Sequence, residues 1–158
     1  MRILGIDPGM AIVGYSVLDI DNDEYELITS GSIRTSSEDS DGVRLAEIRN
    51  DMNVLIEQFK PDVASIEQLF FFKNLKTIIP VAQARGVIME ILSAKKIPIY
   101  EYTPLVVKQT LTGYGRAEKS EVANMVKLAL KKDTIPKLDD TVDSIAIAIC
   151  HARNLICV

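Results

Sequence analysis

Apolar and polar positions along the chain alternate between short apolar runs and longer amphipathic segments, an order that predicts strands interleaved with helices. Arg2 to Ile6 is a short apolar run closed by Pro8 and Gly9, which predicts a buried strand with Asp7 at its tip. Ile12 to Ile20 and Tyr25 to Ile33 predict a second and a third strand, joined by the acidic turn Asp21-Asn-Asp-Glu24. Connections this short imply antiparallel pairing of the first three strands. Leu45, Ile48, Met52, Leu55, Ile56 and Phe59 then recur at helical spacing, from a cap at Ser40 to a stop at Pro61. Val63 to Ile66 returns as a fourth strand. The order strand, helix, strand implies a parallel crossover beside the first strand, which brings Asp7 and Glu67 to one edge of the sheet.

The second half continues the pattern. Ile78 to Lys96 predicts a long helix that starts or kinks near Pro80, because proline is tolerated in a first turn. Ala82, Ala84, Gly86, Val87, Ile88, Ile91 and Leu92 make it apolar on more than one face, which predicts burial inside the domain or against a second copy, and favours a homodimer. Ile97 to Tyr102 is the fifth strand, and Thr103-Pro104 caps a short helix carrying Val106, Val107, Lys108 and Gln109. The glycine-rich turn Gly113-Tyr-Gly-Arg-Ala-Glu-Lys119 opens a further helix to about Lys132, and residues 139 to 156 form the last one.

Composition narrows the class. With 158 residues, 47% of them hydrophobic, the chain has the length for one globular domain, residues 1–158, with a substantial core. No apolar run reaches the length of a membrane span, so no membrane partner is expected and the expected location is the cytoplasm. Cys150 and Cys157 lack metal-ligand spacing and read as reduced core residues. The net charge of −4 argues against a nucleic-acid partner only until its distribution is considered. Residues 19 to 41 hold eight acids against Arg34, whereas residues 69 to 137 hold twelve Lys and Arg against five acids. An acidic molecule can thus carry one basic face.

Candidate chemistry centres on carboxylates. Asp7 and Glu67 each follow an apolar strand, and Asp140 and Asp143 lie three apart at the head of an apolar helix, on one face, with Asp139 a competing choice. Four acids converging from three elements suit hard divalent cations, two of which can assist in-line displacement at phosphorus. His151, the only histidine, has no Ser-His-Asp partners and reads as a core or surface residue. Three aromatics, Phe70 to Phe72, follow Glu67 with Lys73 and Lys76 beside them. Phe70 is the favoured exposed ring for stacking on an unpaired base. Arg116 and Lys119 flank a glycine turn whose backbone N–H groups can face phosphate.

The stretches Gly5-Ile-Asp-Pro-Gly9 with Gly14, Ile66-Glu-Gln-Leu-Phe70 with Lys73-Asn74, Gln83-Ala-Arg-Gly86, Val107-Lys-Gln109, Gly113 to Lys119 and Asp140-Thr-Val-Asp143 resemble, in order and over nearly the whole chain, the bacterial RuvC family of Holliday junction resolvases. The resemblance implies a ribonuclease-H-like α/β fold, a five-stranded mixed sheet of three antiparallel then two parallel strands with helices on both faces. It implies a homodimer that nicks two strands of four-way junction DNA, working alongside the branch-migration complex RuvAB. Carried over by position, it makes Asp7, Glu67, Asp140 and Asp143 catalytic ligands of two Mg²⁺ ions, with Mn²⁺ as a substitute, and leaves Asp139 out. It also puts Lys108 and Lys119 beside the scissile phosphate and makes Phe70 the junction-opening aromatic. The remaining DNA contacts expected are Lys73, Lys76 and Arg116. A related nuclease acting on RNA, a non-catalytic junction-binding module and an ATP-binding domain of the actin type are the alternatives, and fold analogy alone does not separate them.

Overall fold

The central strand of the sheet is the most apolar one, as burial on both faces requires. In the computed structural model, which describes residues 1–22, 24–69 and 75–156, with the side chains of 75–77 and 156 left aside, strand β1 spans Arg2–Asp7. β2 (Ile12–Asp21) pairs antiparallel with β1, and β3 (Glu24–Arg34) pairs antiparallel with β2. Helix α1 (Asp41–Phe59) crosses to β4 (Val63–Glu67), which lies parallel to β1. Helix α2 (Leu75–Ala94) leads to β5 (Ile99–Tyr102), parallel to β4. The sheet order is β3-β2-β1-β4-β5, and α3 (Pro104–Thr112), α4 (Lys119–Leu130) and α5 (Asp139–Ile156) follow. This is the expected mixed sheet of three antiparallel and two parallel strands.

Alternation along the strands feeds two cores. Leu4, Ile6, Val13, Val17, Ala64 and Ile66 face α1 and α2, where Ile48, Met52, Ala84 and Ile88 are fully buried. Ile3 and Leu18 face the other way, into a core built on α5 with Val107 and Leu111 of α3 and Val122 and Val126 of α4. Successive residues of a strand point to opposite faces, so Asp7 and Glu67, in step with Ile3, Gly5 and Ser65, belong to the α5 side. Helix α5 is buried almost all round from Ser144 to Ala152, which marks a helix enclosed by its own domain. No helix among the described residues is long and apolar enough to cross a membrane.

Helix ends follow local chemistry, with some departures from expectation. Thr103 caps α3 by accepting the Val106 N–H at 3.2 Å, with Pro104 first in the helix. Ser40 stands at the N-cap of α1, but its side chain makes no capping bond. Helix α2 begins at Leu75, not at Ile78, and holds Pro80 inside. The proline forfeits one hydrogen bond to the carbonyl four residues before it, and the apolar contacts of Ala84, Ile88, Ile91 and Leu92 hold the helix regardless. Its outer positions Ile79, Ala82 and Gly86 are exposed, so α2 is covered on one side only within the chain. β5 starts at Ile99, later than the apolar run, because Lys96 turns left-handed (φ 59°) and the Ile97 N–H bonds back to the Leu92 carbonyl at 2.9 Å, ending α2.

Candidate active site

A row of small residues lets α5 lie against the sheet. Gly5 is in register with Ser16 on one side and Ser65 on the other, and a side chain at Gly5 would strike Ser144 and Ala148 of α5. One step towards the strand tips, Asp7 pairs with Gly14, where a Cβ would meet the Asp140 backbone and lie 3.1 Å from the Asp140 Cβ. Glu67 follows directly on Ile66, the partner of Ile6, so the two strand-tip acids are level. The first turns of α5 therefore stand over β1 and β2, and Asp140 and Asp143 join Asp7 and Glu67 at one edge of the sheet.

Crowding and burial shift the acids. The Asp7 carboxyl is pushed up to about 8, first by burial and then by the charges of Glu67, Asp143 and Asp140. Burial and the Asp143 charge raise Glu67, offset in part by its hydrogen bond with Asp7 and by Lys119. Burial also raises Asp143, against the lowering influence of Lys119 and Lys108. Asp7 and Glu67 share a side-chain hydrogen bond within the group. Among the described residues no three acids, histidines or cysteines close around a ready-made ion cage, so the electrostatic cluster is looser than a formed metal site. The mutual pKa shifts nonetheless place the four acids within electrostatic reach of one another. The donors are all carboxylate oxygens, the set that hard divalent cations take.

Two lysines stand at the rim. The Lys119 Nζ lies 3.2 Å from Asp139 and 3.8 Å from Asp143, and these acids hold its pKa above the ordinary lysine value, with the Asp139 hydrogen bond as the largest cause. Asp139, 71% exposed at its side chain against 39% for Asp143, pairs with Lys119 outside the cluster. Glu67, Lys108, Lys119 and Asp143 line a cleft of about 240 Å³ with an apolar floor of Pro104, Val107, Ala146 and Ile147. A second cleft of about 350 Å³ on the far side of Lys119 is bordered by Lys127, Lys137 and Asp139. Arg116 is exposed in the turn before α4 and does not line either cleft. Phe70 and Lys73, and the side chain of Lys76, lie outside the described residues, as does Cys157.

His151 is core. Its Nδ1 is 2.7 Å from the Tyr102 hydroxyl, its ring lies 4.2 Å from that of Tyr100, and burial lowers its pKa. The pattern of the sequence did not reveal Arg85, whose Nε–H donates to the Glu67 carbonyl at 3.2 Å while its Nη2 pairs with Glu101 of β5. An arginine between core positions of an apolar helix was the available signal. Nor did it reveal why Gly14 and Ser16 are small, since that depends on strand register.

A five-stranded mixed sheet with acids gathered at the ends of β1 and β4 under a final helix defines a ribonuclease-H-like nuclease. Residues 3–151 match the family described as crossover junction endodeoxyribonuclease RuvC. Relatives of that name are 53% identical over 153 residues in Finegoldia magna, covering 96% of this chain and 92% of theirs, and 50% identical over 154 residues in Halothermothrix orenii, covering 98% and 93%. The solved structure of Thermus thermophilus RuvC in complex with Holliday junction substrate superposes with a TM-score of 0.93 at 29% identity, over 98% of this chain and 94% of that one. The chain belongs to the RuvC family of crossover junction endodeoxyribonucleases.

Proposed function

We propose that this chain acts as a homodimer on a Holliday junction and nicks two of its strands by metal-assisted hydrolysis, with residues 1–158 forming a single nuclease domain. The observation that carries this reading is the convergence of Asp7, Glu67, Asp140 and Asp143 beside a cleft rimmed by Lys108 and Lys119. The four acids would hold two Mg²⁺ ions, for which Mn²⁺ could substitute. Divalent cations bound there supply Lewis acidity to the phosphate and ease deprotonation of the attacking water. Asp7 gives up its proton to become a ligand. Lys108 and Lys119 offset charge that develops on the phosphate as water adds and the phosphorus–oxygen bond to the leaving strand breaks. The apolar floor of the cleft excludes bulk water around that phosphate, which strengthens each of these charge interactions.

Paired nicks require two sites, and one chain carries one acidic cluster. The exposed outer face of α2 and the shallow groove between α1 and α2, lined by Leu45, Arg49, Gln83 and Val87, support pairing of two copies. Phe70, Lys73, Lys76 and Arg116 are the expected further DNA contacts, and family resemblance supports RuvAB as the functional partner; the cytoplasm is the expected location because the proposed substrate is DNA. The deciding experiment is Mg²⁺-dependent cleavage of a synthetic four-way junction, with linear duplex and structured RNA in parallel. Asp7→Asn is expected to keep junction binding and to lose nicking. Retained nicking in that variant removes Asp7 from the mechanism, and preferential cleavage of RNA replaces the substrate assignment.

A further inference from the structure

We propose that Arg85 is a positioning residue for catalysis, a strut that reaches through the edge of the sheet and fixes Glu67 for metal binding. The proposal rests on the assignment of Glu67 as a metal ligand above and adds the group that orients it. Glu67 ends β4, where strand pairing gives out. On the β5 side the Gln68 N–H still bonds to the Tyr102 carbonyl at 2.8 Å. The Glu67 carbonyl takes its hydrogen bond from the Arg85 Nε–H at 3.2 Å.

The geometry of Arg85 suits this task. It is held from both sides of its own helix, since Ala84 and Ile88 are fully buried beneath the sheet, and its side chain is only 15% exposed. Its second nitrogen pairs with Glu101, which lies in register with Ile66 on the neighbouring strand. One planar guanidinium thus ties α2, the end of β4 and β5 together, a two-pronged contact that a lysine ammonium cannot reproduce. Alternation along β4 sends the Glu67 carboxylate to the α5 face, whereas Arg85 works from the α2 face. The strut therefore stands behind the acid, clear of the substrate cleft, and acts only through the backbone of Glu67.

Partners that hydrogen-bond a ligating side chain change metal affinity by about 10–100-fold when removed, and a strut acting through the ligand's backbone is expected at the lower end of that range. The test is Arg85→Gln, which removes the charge and the two-pronged fork, set against Arg85→Lys, which keeps the charge. Mn²⁺ binding to the DNA-free protein is followed by calorimetry, junction affinity is measured without divalent cation, and cleavage is titrated with Mg²⁺. Arg85→Gln is expected to weaken Mn²⁺ binding about tenfold and to raise the Mg²⁺ needed for half-maximal cleavage by a similar factor, with junction affinity unchanged. Arg85→Lys is expected to restore part of the loss. Wild-type Mn²⁺ affinity in Arg85→Gln, or a loss of junction affinity as large as the loss of cleavage, overturns the proposal. If Arg85→Gln does not fold, Glu101→Gln, which frees the far end of the guanidinium, must shift Mn²⁺ affinity in the same direction; an unchanged value overturns it. Wild-type protein that binds Mn²⁺ yet leaves the junction uncut would instead count against the proposed function.

Discussion

Asp7 holds a proton that an ordinary aspartate would release. Its folded value of about 8 lies above the ordinary 3.8, so between these limits the metal-free fold binds a proton that the unfolded chain has lost. Stability contributed by that proton is complete below about 4 and is lost as pH rises towards 8. Thermal melts of the metal-free protein should therefore show a midpoint that falls across this range. Asp7→Asn should raise the midpoint at the upper end by about 2–4 °C for each kcal/mol regained, with about 1–2 kcal/mol expected. A flat pH response in the wild type would contradict the raised value. If Asp7 is a ligand as proposed, binding of a cation expels the same proton, so cleavage at subsaturating Mg²⁺ should climb with pH until Asp7 ionises. At this scale the sequence was informative about the acids, because each closes an apolar run or heads an apolar helix. The stretch Gln83-Ala-Arg-Gly86 contained Arg85 without showing what it contacts, and nothing showed the pairing of Lys119 with Asp139, because both depend on elements far apart in the chain.

Helix α5 supplies both a core and half of the acids, and the strand residues beneath it set its height above the sheet. Gly14 shows this most directly, because a methyl group there meets the Asp140 backbone. Gly14→Ala should cost about 1–3 kcal/mol by overpacking. It should also reduce junction cleavage on the order of 10²-fold, since displacements near 1 Å at a reacting centre have that effect. Gly42→Ala is the control, because a Cβ at Gly42 meets nothing within 4 Å. Equal cleavage by the two variants would show that the approach of α5 does not govern the site. The pattern of apolar positions identified all ten elements and their order, yet misplaced the starts of α2 and β5. The start of β5 was set by a left-handed turn at Lys96, which alternation does not encode.

Charge is organised across the molecule in a way that its total conceals. Arg2 pairs with Asp19 and Asp7 with Gly14, so the β2–β3 turn with Asp21 and Glu24 projects from the end of the sheet opposite the carboxylate cluster. Asp19 and Glu24 are further occupied by Arg2 and Lys131. Lys108, Lys119, Lys127 and Lys137 line the two clefts beside Asp143. Junction affinity should consequently fall steeply with salt, by about a thousandfold between roughly 50 and 200 mM if six or more phosphates are contacted. A flat dependence would show that the acidic total, not the basic rim, governs the encounter. The fold class was readable because the strand order dictates the pairing, whereas the orientation of the acidic turn required the register.

Synthesis by the ribosome proceeds from Asp7 to Asp143, and the acids of α5 emerge after every strand has been made. Until then the growing polypeptide has two of its four carboxylates and an uncovered sheet face around Ile3 and Leu18. An unfinished chain therefore lacks half of the proposed ligand set, and the step that covers the sheet face is the same one that completes that set.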